Sequence, residues 1–272
     1  MAEGDNLEKT PFSVAQERAK PGKSWFRAKF IGVGGCAGQN VMPNQAFETL
    51  VDTNDAWISK RTGIRKRHLV DANSSLRSIA TTAALDALKS ANVDGRDIDL
   101  VIVATSSPDD LFGDAASIAQ AIGATSAAAF DLTAACAGFL YGLITASQFI
   151  QTGTYKRVVV VGADALTRFL DWKDRGSCIL FGDGAGATVL EATDSLSEAG
   201  LLGFALHSDG GGYCNLQLKF KSDVRALPNE AGTQVDQGEY GKITMNGAEV
   251  YKFAVNEVRF SETSPPQRIT YV

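Results

Sequence analysis

A chain of 272 residues, 44% hydrophobic and 21% charged, holds the material for one large or two ordinary globular domains and is neither disordered nor fibrous in composition. Its formal charge of −5 argues against nucleic acid as the main partner, since phosphate binding needs clustered positive charge; the one basic run, Arg65-Lys66-Arg67, has a solvated loop as its ordinary reading. The four cysteines, Cys36, Cys136, Cys178 and Cys214, stand far apart with no CxxC pair, which speaks against a metal site and a disulfide framework and for a reducing compartment.

Residues 1–25 are polar, carry Glu3, Asp5 and Glu8, and lack the apolar core of a signal peptide, so a disordered arm is expected there rather than a leader or transit peptide. No apolar stretch is long enough to span a bilayer. From Phe26 to Gly32 a strand is expected, entering a turn at Gly32-Val33-Gly34-Gly35. Ser75–Ala91 reads as a helix capped by Ser74 or Ser75, with Leu76, Ile79, Ala83, Leu85 and Leu88 at helical spacing. Asp99–Ala104 and Arg157–Gly162 are continuous apolar strands of the kind buried on both faces. Between them come a short helix at Ala115–Ile122, a strand at Ala127–Leu132 and a helix at Gly138–Thr152. Gly182–Gly186, bracketed by Cys178–Phe181 and Ala187–Glu191, reads as a tight turn with close backbone packing. Strands alternating with helices predict a layered α/β unit over residues 26–199 with a mixed, mostly parallel sheet.

A second unit is expected to start near residue 200, with a strand at Leu202–Ser208, a polar excursion to Gln237 and a helix beginning at Gly247–Glu257. Over 258–272 the periodicity is lost, and no helix can pass Pro265-Pro266. Gly32-Val33-Gly34-Gly35-Cys36-Ala37 fits a dinucleotide fingerprint in letters only, because Gln39 to Pro43 opens no helix to receive a pyrophosphate.

One segment carries nucleophile chemistry. In Asp131-Leu132-Thr133-Ala134-Ala135-Cys136-Ala137-Gly138-Phe139 a cysteine sits between a buried strand and a long helix, among small neighbours that leave the sulfur approachable. A helix N-terminus favours thiolate over thiol. A single cysteine is more often a small buried hydrophobe, and position alone leaves both readings open.

This run resembles the nucleophile motif of the β-ketoacyl-acyl-carrier-protein synthase III family of thiolase-like condensing enzymes. Trp57-Ile58-Ser59-Lys60-Arg61-Thr62-Gly63-Ile64 is similar to the family's W-I-x-x-R-T-G-I signature, and Arg175 to Ala187 to its R-G-x-x-x-x-F-G-D-G-A-G-A segment. Leu206 to Gly210 and Met245-Asn246-Gly247 follow in the family's order. Val51 to Asp55 and Asp110-Leu111-Phe112-Gly113 resemble the plant and cyanobacterial branch, whose setting would be a plastid stroma or a bacterial cytoplasm.

The resemblance spans Phe26 to Glu257 and implies an αβαβα layered fold, its first half complete, its second half begun over 200–257, and a divergent tail over 258–272. It implies an acyltransferase in which Cys136 takes acetyl from acetyl-coenzyme A, a substrate rather than a cofactor. The acyl group is then condensed with malonyl-acyl-carrier-protein to begin fatty-acid synthesis. Trp57 and Arg175 would sandwich the adenine, as an indole face and a guanidinium plane both stack on purines. Arg61 and Thr62 would hold the pantetheine and phosphate end. Phe112 and Phe181 would line the acyl pocket, Phe112 reaching across a homodimer or larger assembly, and Met245, Asn246 and Gly247 would complete the substrate surface. Without the motifs, Trp57, Phe112 and Phe181 read as packing aromatics. The family's condensing His and Asn fall beyond the end of this chain, so acylation of Cys136 without condensation is expected of it, and His68 and His207 lie outside the catalytic His motif. A catalytically inactive structural or regulatory partner derived from the same enzyme is the second reading.

Overall fold

The computed structural model describes residues 26–193, 200–201, 203–204, 206 and 208–263, with side chains as far as 256. The arm expected over 1–25 lies outside the described residues. Strands β1 (Arg27–Ala37), β2 (Asn40–Pro43) and β3 (Lys66–Leu69) and helices α1 (Asn44–Phe47) and α2 (Asp55–Thr62) form the first part. Then α3 (Leu76–Ala91), β4 (Leu100–Ala104), α4 (Ala115–Ala121), β5 (Ala128–Leu132), α5 (Gly138–Gln151) and β6 (Arg157–Ala165) alternate. A one-turn helix, α6 (Arg175–Cys178), leads to the long strand β7 (Asp183–Thr193). Beyond them lie the short strands β8 (Leu216–Gln217), β9 (Phe220–Lys221), β10 (Val224–Ala226), β11 (Gln234–Asp236), β12 (Glu239–Tyr240) and β13 (Thr244–Met245), then α7 (Gly247–Thr263).

The main sheet has the order β1-β7-β6-β4-β5. β4 pairs parallel with β5 and β6, while β7 runs antiparallel to both β6 and β1. The sheet is therefore mixed but half antiparallel, not mostly parallel as expected. The chain leaves β6 and returns into β7 at the same end, without a crossover, and the intervening residues are free to build a wall there.

Side-chain alternation sorts the strands into two faces. Val101, Val103, Val159, Val161 and Val189 pack under α3 and α4; Leu100, Ile102, Val158, Val160 and Leu190 pack under α5. Each such residue contributes about 1.5–3 kcal/mol by leaving water. These are three of the five layers of a thiolase-like fold.

Helix α3 begins where Ser75 accepts from the Ser78 amide at 3.1 Å and Ser78 Oγ accepts from the Ser75 amide at 3.0 Å, a reciprocal cap. Its seat on the sheet overturns three expectations. The glycines of 32–35 do not turn; β1 runs straight through them. A Cβ on Gly32 would lie 2.6 Å from Ala91 Cβ, and one on Gly34 2.8 Å from the Asp86 carbonyl carbon, so glycine here admits a helix against a strand. Leu85 is 46% exposed, whereas Leu76, Ile79, Ala83 and Leu88 are buried as expected; the residues that meet Gly32 and Gly34 include Ala83, Ala87 and Ala91, since only small side chains fit so close a contact. Gly184 and Gly186 likewise lie inside β7, paired with β1 and β6, not in a turn.

Helix α2, not anticipated in the sequence, is delimited by ordinary signals: Asn54 Oδ1 accepts from the Trp57 amide at 2.8 Å, and Gly63 ends it at φ 74°. Of the strand expected at Leu202–Ser208, residues Leu202, Ala205 and His207 lie outside the described set, and Gly203, Phe204, Leu206 and Ser208 carry no strand pairing. The polar excursion contains small antiparallel ladders, β9 with β12 and β10 with β11, and β8 pairs with β13. α7 continues to Thr263, past the expected loss of pattern at 258; Pro265-Pro266 lies outside the described residues. Among the described residues no helix is long and apolar enough to cross a membrane.

If the glycine seat holds α3 to β1, Gly34→Ala should cost about 1–3 kcal/mol, read as a lowered midpoint of thermal unfolding. Gly35→Ala, whose Cβ would meet only the Ala185 carbonyl at 3.7 Å, should leave the midpoint nearly unchanged.

Candidate active site

The three parallel strands β4, β5 and β6 end together, and the crevice beyond their carboxyl ends is where ligands bind in open α/β sheets. Here it is a cavity of about 620 Å³. Thr105, Ser106 and Pro108 follow β4, Thr133 to Cys136 follow β5, and Leu166 and Phe169 follow β6. Phe181, just before β7, and Leu216, Tyr240 and Ile243 from the short-strand region close it. The walls are mainly apolar, as suits an acyl chain.

Cys136 is exposed to this cavity. A tight 3-10 turn, Ala135–Ala137, carries it from β5 into α5, with the Ala137 amide donating to the Ala134 carbonyl at 3.1 Å. Ala135 holds φ 49°, the left-handed region that a residue with a Cβ avoids. Strain of this kind, of order 1–3 kcal/mol, gathers at functional sites. Among the described residues no side chain caps the turn or the start of α5, so the helix's first amides have no side-chain partner there.

Two carboxylates organise the walls. Asp164 Oδ1 accepts from the Ser106 amide at 2.9 Å and from Ser107 Oγ at 2.8 Å, and Ser107 Oγ in turn accepts from the Ala165 amide. The loop after β4 is thereby tied to the end of β6. Asp131 Oδ2 accepts from the Ala115 amide at 3.0 Å. Gly113, at φ +98°, passes so close that a Cβ there would strike the Asp131 carboxylate. Both aspartates went unnoticed in the sequence. Asp131 stands inside the nucleophile motif, which gave a signal; Asp164 is brought in only by the sheet.

A second cluster lies on α2 and α6. The Arg61 guanidinium carbon is 4.3 Å from the Trp57 ring centroid and that of Arg175 is 4.9 Å from it. Arg175 Nη1 also donates to the Asp52 carbonyl at 2.9 Å. Thr62 Oγ1 donates to the Ile58 carbonyl at 2.8 Å and accepts from the Ile64 amide at 3.0 Å, so its hydroxyl serves the end of α2. Trp57 packs on a small core of Phe47, Ile58, Cys178 and Ile179. Burial pushes the Cys178 thiol up, which leaves it a packing residue. Arg67, expected in a solvated loop, is buried in the same region.

The remaining expected residues divide. Phe181 lines the cavity with Cys136. Phe112 is fully exposed and stands outside the wall that Leu111 helps to form. Met245 pairs with Leu216 across β13 and β8, the Asn246 amide donates to the Asn215 carbonyl at 2.8 Å, and Gly247 opens α7. These three stand beside the cavity wall, not in it.

Comparison with known proteins adds a family to this geometry. A model of 3-oxoacyl-(acyl-carrier-protein) synthase III matches residues 130–210. The β-ketoacyl-(acyl-carrier-protein) synthase III of Acaryochloris marina is 52% identical over 227 residues, 84% of this chain and 67% of the relative. That of Porphyra purpurea is 54% identical over 216 residues, 79% and 64% of the two chains. The chain thus spans about two thirds of the length of these relatives. Among solved structures, the 3-oxoacyl-(acyl carrier protein) synthase III of Pseudomonas aeruginosa PAO1 superposes with a TM-score of 0.74 at 35% identity, covering 87% of this chain and 69% of that one. The priming β-ketosynthase of the R1128 polyketide pathway gives 0.73 at 29% identity, covering 89% and 69%. Half of all aligned positions shared with synthase III relatives, over a stretch that includes the cysteine turn, the Trp57 helix and the Arg175 segment, is more than a common fold requires: this chain belongs to the β-ketoacyl-acyl-carrier-protein synthase III family of thiolase-like condensing enzymes.

Proposed function

We propose that Cys136 accepts an acetyl group from acetyl-coenzyme A, as the first half of the family's condensation. The observation that carries this is the exposed sulfur, held by a strained turn at the mouth of α5 and opening into an apolar cavity. The thiolate attacks the thioester carbonyl, the bond from that carbon to the coenzyme A sulfur breaks, and the departing thiolate takes up a proton. In the second half of the family's reaction, which its C-terminal His and Asn serve, malonyl-acyl-carrier-protein loses carbon dioxide, and the carbanion attacks the acetyl carbonyl and displaces the cysteine thiolate, giving acetoacetyl-acyl-carrier-protein.

Recognition of the nucleotide follows from Trp57, Arg61 and Arg175. A purine inserted between an indole and a guanidinium needs about two van der Waals contacts, roughly 7 Å, whereas Arg175 lies 4.9 Å from the Trp57 centroid. Arg175 therefore has to swing away to admit adenine and then close over it. Phe112 and Leu111, at 100% and 86% exposure, support a homodimer in which this loop meets a second copy, because large apolar tips of this kind are covered in an assembly. Acyl carrier protein is the macromolecular partner, and plastid stroma or bacterial cytoplasm the setting.

Incubated with radiolabelled acetyl-coenzyme A, the folded protein should take up thioester-bound label, and Cys136→Ser should remove nearly all of it. Label shared equally among Cys36, Cys178 and Cys214 would refute the assignment. In calorimetric titration with coenzyme A, Trp57→Ala and Arg175→Ala should each weaken binding about tenfold, since a stacked base is worth roughly 1–3 kcal/mol. Dephospho-coenzyme A should bind more weakly to wild type and equally to Arg61→Ala.

A further inference from the structure

The basic run divides in the structure. Arg65 and Lys66 are exposed, whereas Arg67, in β3, is 4% exposed. A buried cation is costly unless it is paired or fully hydrogen-bonded, and among the described residues no carboxylate forms an ion pair with it. Its planar fork reaches two neutral acceptors instead: Nη1 donates to Asn44 Oδ1 and Nη2 to the Ile179 carbonyl. The guanidinium carbon lies 4.7 Å from the Phe47 ring centroid, and Nε has no partner. Burial pulls its pKa down, although a guanidinium stays charged.

Asn44, itself fully buried, passes the contact on. Its Nδ2 donates to Asp55 Oδ1 at 2.7 Å, to the Ile64 carbonyl at 2.8 Å and to Ser59 Oγ at 3.2 Å. Asp55 and Ser59 flank Trp57 on α2, and Ile179 directly follows α6, which carries Arg175. One guanidinium is thus bonded, directly or through one amide, to both elements that bear the Trp57–Arg175 stack.

We propose that Arg67 is a positioning residue for coenzyme A recognition: through the Ile179 carbonyl and Asn44 it sets the separation of α2 from α6, and so the gap that the adenine has to open. This rests on the reading of Trp57 and Arg175 as the adenine clamp. Arg67 is suited to the task because a rigid fork fixes two acceptors at once, which an ammonium on a flexible stem does not. Filling the core would be a different role, and substrate choice separates the two.

The test compares acetyl transfer to Cys136, followed by intact-protein mass, from acetyl-coenzyme A and from S-acetyl-N-acetylcysteamine, which has the same thioester without the nucleotide. Arg67→Met and Arg67→Lys should each raise the concentration of acetyl-coenzyme A needed for half-maximal acylation about tenfold, the scale of a lost stack. Both should leave the rate with the short thioester within about twofold of wild type. Asp55→Ala cuts the same relay at its partly exposed end, spares the folded core, and should show the same selective loss to a smaller degree. Equal losses with both substrates, or no loss with acetyl-coenzyme A in any of the three variants, would overturn the proposal. Trp57→Ala is the companion measurement: if it leaves acetyl-coenzyme A unaffected, the clamp itself is wrong. If Trp57→Ala shows the selective loss and the Arg67 and Asp55 variants do not, only the positioning role fails.

Discussion

The site depends on the burial of strand β4 from both sides. All five of its residues are inside, between a helical layer led by α3 and another formed by α5. A strand so enclosed has no freedom to slip, because a one-residue shift would exchange every side chain between the two faces. Its parallel neighbours β5 and β6 are fixed in register with it, so Ala104, Leu132 and Gly162 share one level. Everything chemical starts one or two residues beyond that level: Thr105 and Ser106, Thr133 to Cys136, and Asp164. The sulfur is therefore located by apolar packing well behind it, and the polar groups at the front refine the loops.

Those polar groups work by crossing between elements. Asp164 belongs to β6 but holds the loop after β4; Asp131 belongs to β5 but holds the start of α4. Arg67 does the same between β3, α1 and the residues after α6. Each is a charged group whose main partners are neutral amides, hydroxyls or carbonyls, so the surrounding charge need not change when substrate arrives. The contrast is with Arg175, whose side chain is exposed and rests on Trp57 and a single carbonyl, as befits a group that has to move.

Much of this was legible in the sequence and some was not, for identifiable reasons. The apolar runs at 100–104 and 157–162 and the capped helix at 76–91 follow from burial and hydrogen-bond supply alone, and they stand where expected. Glycine misled twice, at 32–35 and 182–186, because the same residue that permits a turn also permits two backbones to touch, and only the partner decides which. Leu85 misled in the opposite sense: a leucine at helical spacing suggests a buried face, yet this one lies on the solvent side of a helix that buries Leu76, Ile79 and Leu88. Cys136 and Phe181 share the cavity, and Trp57, Arg61 and Arg175 share a cluster. Asp164 and Arg67 carry no local pattern, since their partners lie 58 and 112 residues away along the chain. Helix α2 is marked only at its ends, by Asn54 and Gly63, and buries just Ile58, so no apolar period announces it.

The left-handed alanine before Cys136 has a consequence for anyone seeking to harden this scaffold. Glycine at 135 would relieve the torsion and look attractive to a screen that scores melting alone. It would also give the elbow a choice of shapes, and a sulfur that wanders by an ångström loses the near-attack alignment on which the acyl capture proposed for Cys136 depends. Thermal robustness and catalytic aim pull in opposite directions at that one residue, so directed evolution of the enzyme has to select for turnover there, not for endurance.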